Sequence, residues 1–185
     1  MATKINIKPG TLLIAEPFLF DGAFKRSVVL ITEHRSDGSV GFVLNKPIKM
    51  NIQELVASFP DFEAEVFFGG PVATDTIHYI HNVGDLIENS TEITRGVYWG
   101  GDFDKIKFLV STKVIKPSNI KFFVGYSGWS EGQLQEEIDA GTWILDEMYA
   151  NYAFKENSNL WSAVLDNKGD IFTVISKIPD HPAFN

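Results

Sequence analysis

The stretch Ser27–Leu44 constrains this chain more than any other. Ser27-Val28-Val29-Leu30-Ile31-Thr32-Glu33 is rich in β-branched residues, and its aliphatic run Val28–Ile31 shows no polar alternation, which predicts a strand buried on both sides. Ser36-Asp37-Gly38 supplies turn chemistry and Ser39–Leu44 returns as a second strand, so a hairpin is expected. Further strands are expected at Thr11–Ala15, closed by Pro17, and at Glu65–Phe68, Thr76–Asn82, Gly96–Trp99, Asn119–Tyr126 and Asp170–Ile175.

Helical signals are fewer and mostly later. Asn51 with Glu54 predicts a capped helix to about Ser58, and Asp102 caps one over Phe103–Ser111. Ser130-Glu131-Gly132-Gln133 fits a capping box for a helix to about Ala140, which Gly141 can close as a left-handed residue. Ser158–Asn167 places Leu160, Trp161, Val164 and Leu165 on one face. Strands cluster early and helices late, so an α+β fold is favoured over regular βαβ alternation. With 185 residues, no internal repeat and no dividing linker, residues 1–185 form one expected domain.

Composition removes several function classes. The chain has no cysteine, hence no disulfide, thiolate metal site or Cys nucleophile. The start is polar, without an apolar stretch of signal-peptide length, and Ala2 excludes the myristoylation motif. The longest strongly apolar run falls far short of the ~20 residues of a spanning helix. A soluble, cytoplasmic protein with no membrane association is the expectation, and the sequon Asn89-Ser90-Thr91 is then accidental.

The formal net charge is −8 and its placement is uneven. No basic residue lies between Lys49 and Arg95, whereas Arg95 to Lys121 carries Arg95, Lys105, Lys107, Lys113, Lys116 and Lys121 against Asp102 and Asp104. Solvated faces of uneven sign account for this, or else a local basic patch that an acidic partner or phosphate could use. Overall acidity and the lack of a basic, groove-reading helix predict no direct nucleic-acid binding.

No complete catalytic set stands in the sequence. Gly125-Tyr126-Ser127-Gly128-Trp129 puts Trp129 where a nucleophile elbow needs its second glycine. Ser27 and His34 are seven apart, so a regular strand points them to opposite faces, and a dyad would need a bulge. Ser27 is expected to meet a backbone group and His34 to make a polar contact at the strand end. His78 and His81 would also point oppositely, and His181 lies in a Pro-flanked tail, so no metal or other cofactor is expected. Gln133 and Glu137, four apart, share a helix face; adjacent Glu136 does not. Gly125 to Gln133 reads as a strand entering a glycine-rich turn and then a helix start, with Trp129 either a core plug or a flat surface for a partner.

Several segments, quoted in order, resemble one family. They are Gly10–Ala15, Phe24-Lys25-Arg26-Ser27-Val28-Val29-Leu30, Glu33-His34, Gly41-Phe42-Val43-Leu44-Asn45-Lys46-Pro47, Gly69-Gly70-Pro71-Val72 and Gly125–Leu134. Together they are similar to the YqgE/AlgH family of bacterial proteins from about residue 10 to 169, with 170–185 a less similar strand and tail. Gln135 departs from the Glu of many members, so no role is carried over there. The resemblance implies an α+β fold with a branched, largely antiparallel sheet, a small barrel-like part and several short helices. It implies no established biochemical activity, and one branch is named as a regulator of alginate production. Positions matching family motifs include Arg26, Ser27, His34, Asn45, Trp129, Gln133 and Glu137, beside Gly69, Gly70 and Pro71, some of which set turns.

The leading expectation is a non-enzymatic binding or regulatory protein, its partner an unidentified protein or small anionic ligand, using Arg26, His34, Asn45 and the Trp129–Gln133 turn. The alternative is an enzyme on a small anionic substrate, with Arg26 holding the anion and His34 or Glu137 moving a proton. Its requirement is convergence of those side chains in one pocket. A transcriptional regulator is the third reading.

Overall fold

A computed structural model describes residues 6–180. Ten strands are β1 Thr11–Ala15, β2 Val28–Arg35, β3 Gly38–Val43, β4 Pro47–Asn51, β5 Glu65–Phe68, β6 Val72–His81, β7 Thr91–Thr94, β8 Val97–Trp99, β9 Ile120–Ser130 and β10 Trp143–Glu147. Six helices among the described residues are α1 Ile52–Leu55, α2 Phe103–Ser111, α3 Gln133–Asp139, α4 Ala150–Phe154, α5 Leu160–Lys168 and α6 Ile171–Ser176. The sheet runs β10-β1-β2-β3-β9-β6-β8-β7 and curls into a half-barrel. The fold is α+β, as expected.

The sheet branches at β9. One edge of this strand pairs with β6 between Ile120 and Tyr126, across a register shift, while the other is shared: β5 runs parallel to Phe122–Val124, and β3 runs antiparallel to Ser127–Ser130. β4 joins through β5. The fork needs backbones to approach closely. A Cβ on Gly70 would lie 2.2 Å from the Tyr126 carbonyl carbon, and one on Gly125 would lie 2.5 Å from the Gly70 oxygen. Glycine is therefore obligatory at both positions, and the Gly69-Gly70 motif has a structural explanation. Ser127, fully buried, donates from Oγ to the Gly69 carbonyl at 3.0 Å and seals the same fork.

The predicted hairpin forms, and Val28–Ile31 is fully buried. Alternation sorts its side chains: Leu12, Ile14, Val28 and Leu30 pack under α5, whereas Leu13, Ala15, Val29 and Ile31 pack with Trp129, Leu134 and Trp143. A third cluster joins β5, β6, β9 and α2 through Val66, Tyr79, Phe122 and Ile106.

Several local expectations change. Asp170–Ile175 is not a strand but falls in α6, with Asp170 as its N-cap. Phe172 and Ile175, three apart, pack on the α5 core while Ile171 and Val174 face solvent, so an apolar run that reads as a buried strand obeys helical spacing. The helix after Asn51 is one turn long. β4, β7, β10 and α4 carried no sequence expectation. β9 continues through Gly125–Ser130, because pairing with β3 extends its ladder beyond the glycine. His181 lies outside the described residues.

Candidate functional site

Trp129, expected inside a turn, stands in β9 and is only 6 % exposed. Its ring packs against Phe24, with centroids 6.3 Å apart, and against Trp143 at 6.2 Å. Around it lies a closed polar clasp. Glu137 Oε2 accepts from the indole N–H of Trp129 at 2.9 Å and of Trp143 at 2.8 Å. Oε1 accepts from Gln133 Nε2 at 3.0 Å, so the helix-face pair read from the sequence is real. Gln133 Oε1 in turn takes the Ser130 N–H at 3.0 Å, although the helix is capped not by Ser130, as the expected box required, but two residues later by Gly132 at φ +75°. Gly141, at φ +80°, follows the helix as expected. Both oxygens of Glu137 are committed, leaving it poorly placed to move a proton.

Arg26, Ser27 and Asn45 belong to a different cluster. Arg26 precedes β2 with φ +50°, a left-handed conformation costly for a side chain. Asn45 holds that bend: its Oδ1 accepts from Val28 N at 2.9 Å and its Nδ2 donates to the Arg26 carbonyl at 2.8 Å. The Arg26 guanidinium lies 4.4 Å from the Trp161 ring centroid and donates to the Ile178 carbonyl at 2.6 Å. Lys46 Nζ donates to the Lys25 carbonyl at 2.5 Å. Lys25 Nζ lies 2.6 Å from Asp180 Oδ1, and Arg26 Nε lies 3.9 Å from the same oxygen. Burial pushes the Lys46 ammonium below its usual pKa, partly opposed by Asp180. The Asp180 carboxyl is held low by its hydrogen bond from Lys25, with Arg26 and Lys46 adding to the effect.

Among the described residues, two polar atoms here lack protein partners. Arg26 Nε is shielded from solvent yet makes no hydrogen bond, and the fully buried Ser27 Oγ likewise finds none. The expectation that Ser27 meets a backbone group is thus not met by its hydroxyl. Unpaired buried donors are uncommon and mark either strain or a missing partner.

His34 stands apart from both clusters. Its Nδ1 is 2.7 Å from Ser39 Oγ, the polar contact expected at the strand end. A bulge between Ile31 and Glu33 does interrupt β2, so strict alternation does not separate Ser27 from His34. No dyad results, because His34 bonds Ser39. His34 lines an open cavity of about 530 Å³ with Gln135, Ile138, Asp139, Lys168 and Phe172. Arg26, Asn45, Trp129, Gln133 and Glu137 are absent from its wall. Arg26, His34 and Glu137 therefore do not share one pocket. His78 and His81 take separate partners, Thr76 Oγ1 at 3.0 Å and the Gly100 carbonyl at 2.9 Å.

Sequence reasoning gave no role to Lys25 or Lys46 and placed Lys121 only in the basic run from Arg95. The first two flank Arg26 and Asn45 inside quoted motifs, and adjacency was the available signal. Lys121 is a single cation in the run Ile120–Val124; its Nζ lies 3.8 Å from the Phe67 centroid and 3.3 Å from the Ala153 carbonyl, and burial lowers its pKa to about 8.

Residues 12–172 match the family described as AlgH-like. A UPF0301 protein of Chlorobium phaeobacteroides is 41% identical over 181 residues, 97% of each chain. One from Cytophaga hutchinsonii is 37% identical over 178 residues, covering 95% of this chain and 98% of its own. In fold, the chain is similar to a crystal structure from Corynebacterium diphtheriae, with a TM-score of 0.80 and 21% identity over 95% of each chain. It is also similar to the solution structure of the AlgH protein from Pseudomonas aeruginosa, with a TM-score of 0.74 and 23% identity over 98% of this chain and 100% of that one. The match to the family over residues 12–172, with relatives about 40% identical along nearly the whole length, makes this chain a member of the AlgH-like, or UPF0301, family.

Proposed function

We propose that this protein is a cytoplasmic, non-enzymatic binding protein with a regulatory role, whose ligand presents an anionic group to Lys25, Arg26 and Lys46. The observation that carries this reading is the shielded Arg26 Nε, without a hydrogen-bond partner among the described residues, beside two further cations. Three like charges gathered at one place repel, and an anion relieves that repulsion while supplying the missing acceptor. Asn45 serves as the positioning residue by bracing the left-handed bend that aims Arg26.

The Trp129–Gln133 segment enters this reading as fixed structure: Trp129 and Trp143 pack on Phe24, one residue before Lys25. In the enzymatic alternative a base must reach the anion held by Arg26. His34 and Glu137 are both engaged elsewhere, which favours binding without turnover. Duplex DNA is left out of the reading: on α2, the most basic helix, Lys107 already pairs with Asp104 at 2.9 Å.

Calorimetric titration of the full chain with phosphate, citrate and acetate tests the proposal. Saturable binding of at least one anion, lost in the double variant Lys25→Gln/Lys46→Gln, is expected. Absence of binding by all three would overturn it, and conversion of the bound anion to product would overturn its non-enzymatic part.

A further inference from the structure

The segment after α6 supplies the cationic cluster with an anion of its own. Asp180 is the carboxylate nearest to Lys25 and Arg26 among the described residues, it is 53% exposed at its side chain, and its fit is uneven. One oxygen is within hydrogen-bond distance of Lys25 Nζ, at 2.6 Å, but it stops 3.9 Å short of Arg26 Nε. An N–H···O bond wants about 2.9 Å, so this donor is left about 1 Å from satisfaction. The charge fit is equally incomplete, because three cations face one carboxylate. A phosphate group carries close to two negative charges near neutral pH and three strong acceptor oxygens, which matches both the residual charge and the unfilled donor.

Resting on the reading given above, we infer that the Lys25–Arg26–Lys46 cluster is a site for a tetrahedral phosphate-type oxyanion, and that the Asp180 carboxylate is its resident intramolecular competitor. Entry of phosphate requires Asp180 to leave Lys25, and it loosens the segment that Arg26 also holds through the Ile178 carbonyl. Ligand binding is thereby linked to release of residues 178–180 from the body of the protein. The linkage is reciprocal, since whatever draws that segment away opens the site. Among the described residues, the polar contacts of this segment are the Arg26 bond to Ile178, the ion pairs of Asp180 with Lys25 and Arg26, and a bond from Ile178 N to the Ile175 carbonyl.

The test titrates inorganic phosphate, and separately acetate, into the full wild-type chain and into Asp180→Asn. Asp139→Asn serves as a control for the change in net charge. If Asp180 keeps the site closed about nine-tenths of the time, its neutralisation tightens phosphate binding roughly tenfold. Acetate is expected to bind far more weakly than phosphate, Asp139→Asn to behave as wild type, and Lys46→Met added to Asp180→Asn to abolish the gain. Equal phosphate affinity in wild type and Asp180→Asn would overturn the competitor role while leaving the anion site standing. Acetate binding as tightly as phosphate would overturn the ligand class. No binding of either probe to either chain would overturn the inference and the reading beneath it together.

Discussion

The clasp around Glu137 and the cluster around Arg26 are built from similar materials and end in opposite states. In the clasp, one carboxylate meets two indole N–H groups and an amide, and both its oxygens are used. At Arg26, three cations crowd one borrowed carboxylate, and a shielded donor goes without a partner. A completed network fixes a shape, whereas an incomplete one keeps capacity for something outside the chain. Matching the family motif does not separate these roles, since residues of both regions carry it.

The sharpest way to break the contrast is at Glu137. Glu137→Ala strands two indole donors and Gln133, and is expected to cost about 3–4 kcal/mol, lowering the melting temperature by roughly 10 °C. Phosphate affinity measured below the transition should be unchanged. If melting barely moves, the clasp is not structural and the contrast fails.

Lys121 sharpens it, being a half-buried cation that already has partners in the Ala153 carbonyl and the Phe67 ring. Its folded pKa of about 8 lies below the ordinary 10.5, so the unfolded chain binds more protons between those values. Stability is therefore expected to rise as pH increases from 8 to 10.5, by roughly 3 kcal/mol at most. In Lys121→Met that rise should vanish, with the variant more stable than wild type at pH 7. Urea unfolding across this pH range decides it, and a flat wild-type profile would count against a desolvated Lys121.

At the cationic cluster the effect should fall on affinity and not on folding. Lys25→Gln or Lys46→Gln alone is expected to weaken phosphate binding about tenfold while shifting stability by no more than about 0.5 kcal/mol. A variant that unfolds the protein instead would place this cluster with the clasp.

The smallest effect is expected at His81, which is fully buried, donates to Gly100 from Nε2 and leaves Nδ1 unpartnered. Burial depresses its pKa and that of His78, so the unfolded chain takes up protons first as pH falls below about 6.5, and stability drops there. His81→Gln should remove part of that acid-side loss, with His78 supplying the remainder. An unchanged acid limb in calorimetry would show that His81 titrates normally.

Much of the fold was legible because it is written in short-range patterns. Val28–Ile31 announced a two-sided strand, the four inward residues of α5 lay at helical spacing, and Gln133 with Glu137 disclosed one side of the clasp. The Asp170–Ile175 run misled because β-branched residues satisfy a strand pattern and a short helix equally well. The cationic cluster was only half legible. Arg26, Asn45 and Lys46 stood in motifs, but their partners Trp161 and Asp180 are distant in the chain.

By itself the amino-acid order settled the strand-then-helix organisation, the hairpin, the helix caps at Asn51 and Asp102 and the absence of thiol chemistry, since each depends on side chains within a few positions of one another. Only the folded arrangement decided that Trp129 is enclosed, that Glu137 meets Trp143, and that Asp180 returns to Lys25. Those contacts arise from how the branched sheet brings separated segments together, and no local periodicity encodes which distant groups become neighbours or which donors are left without one.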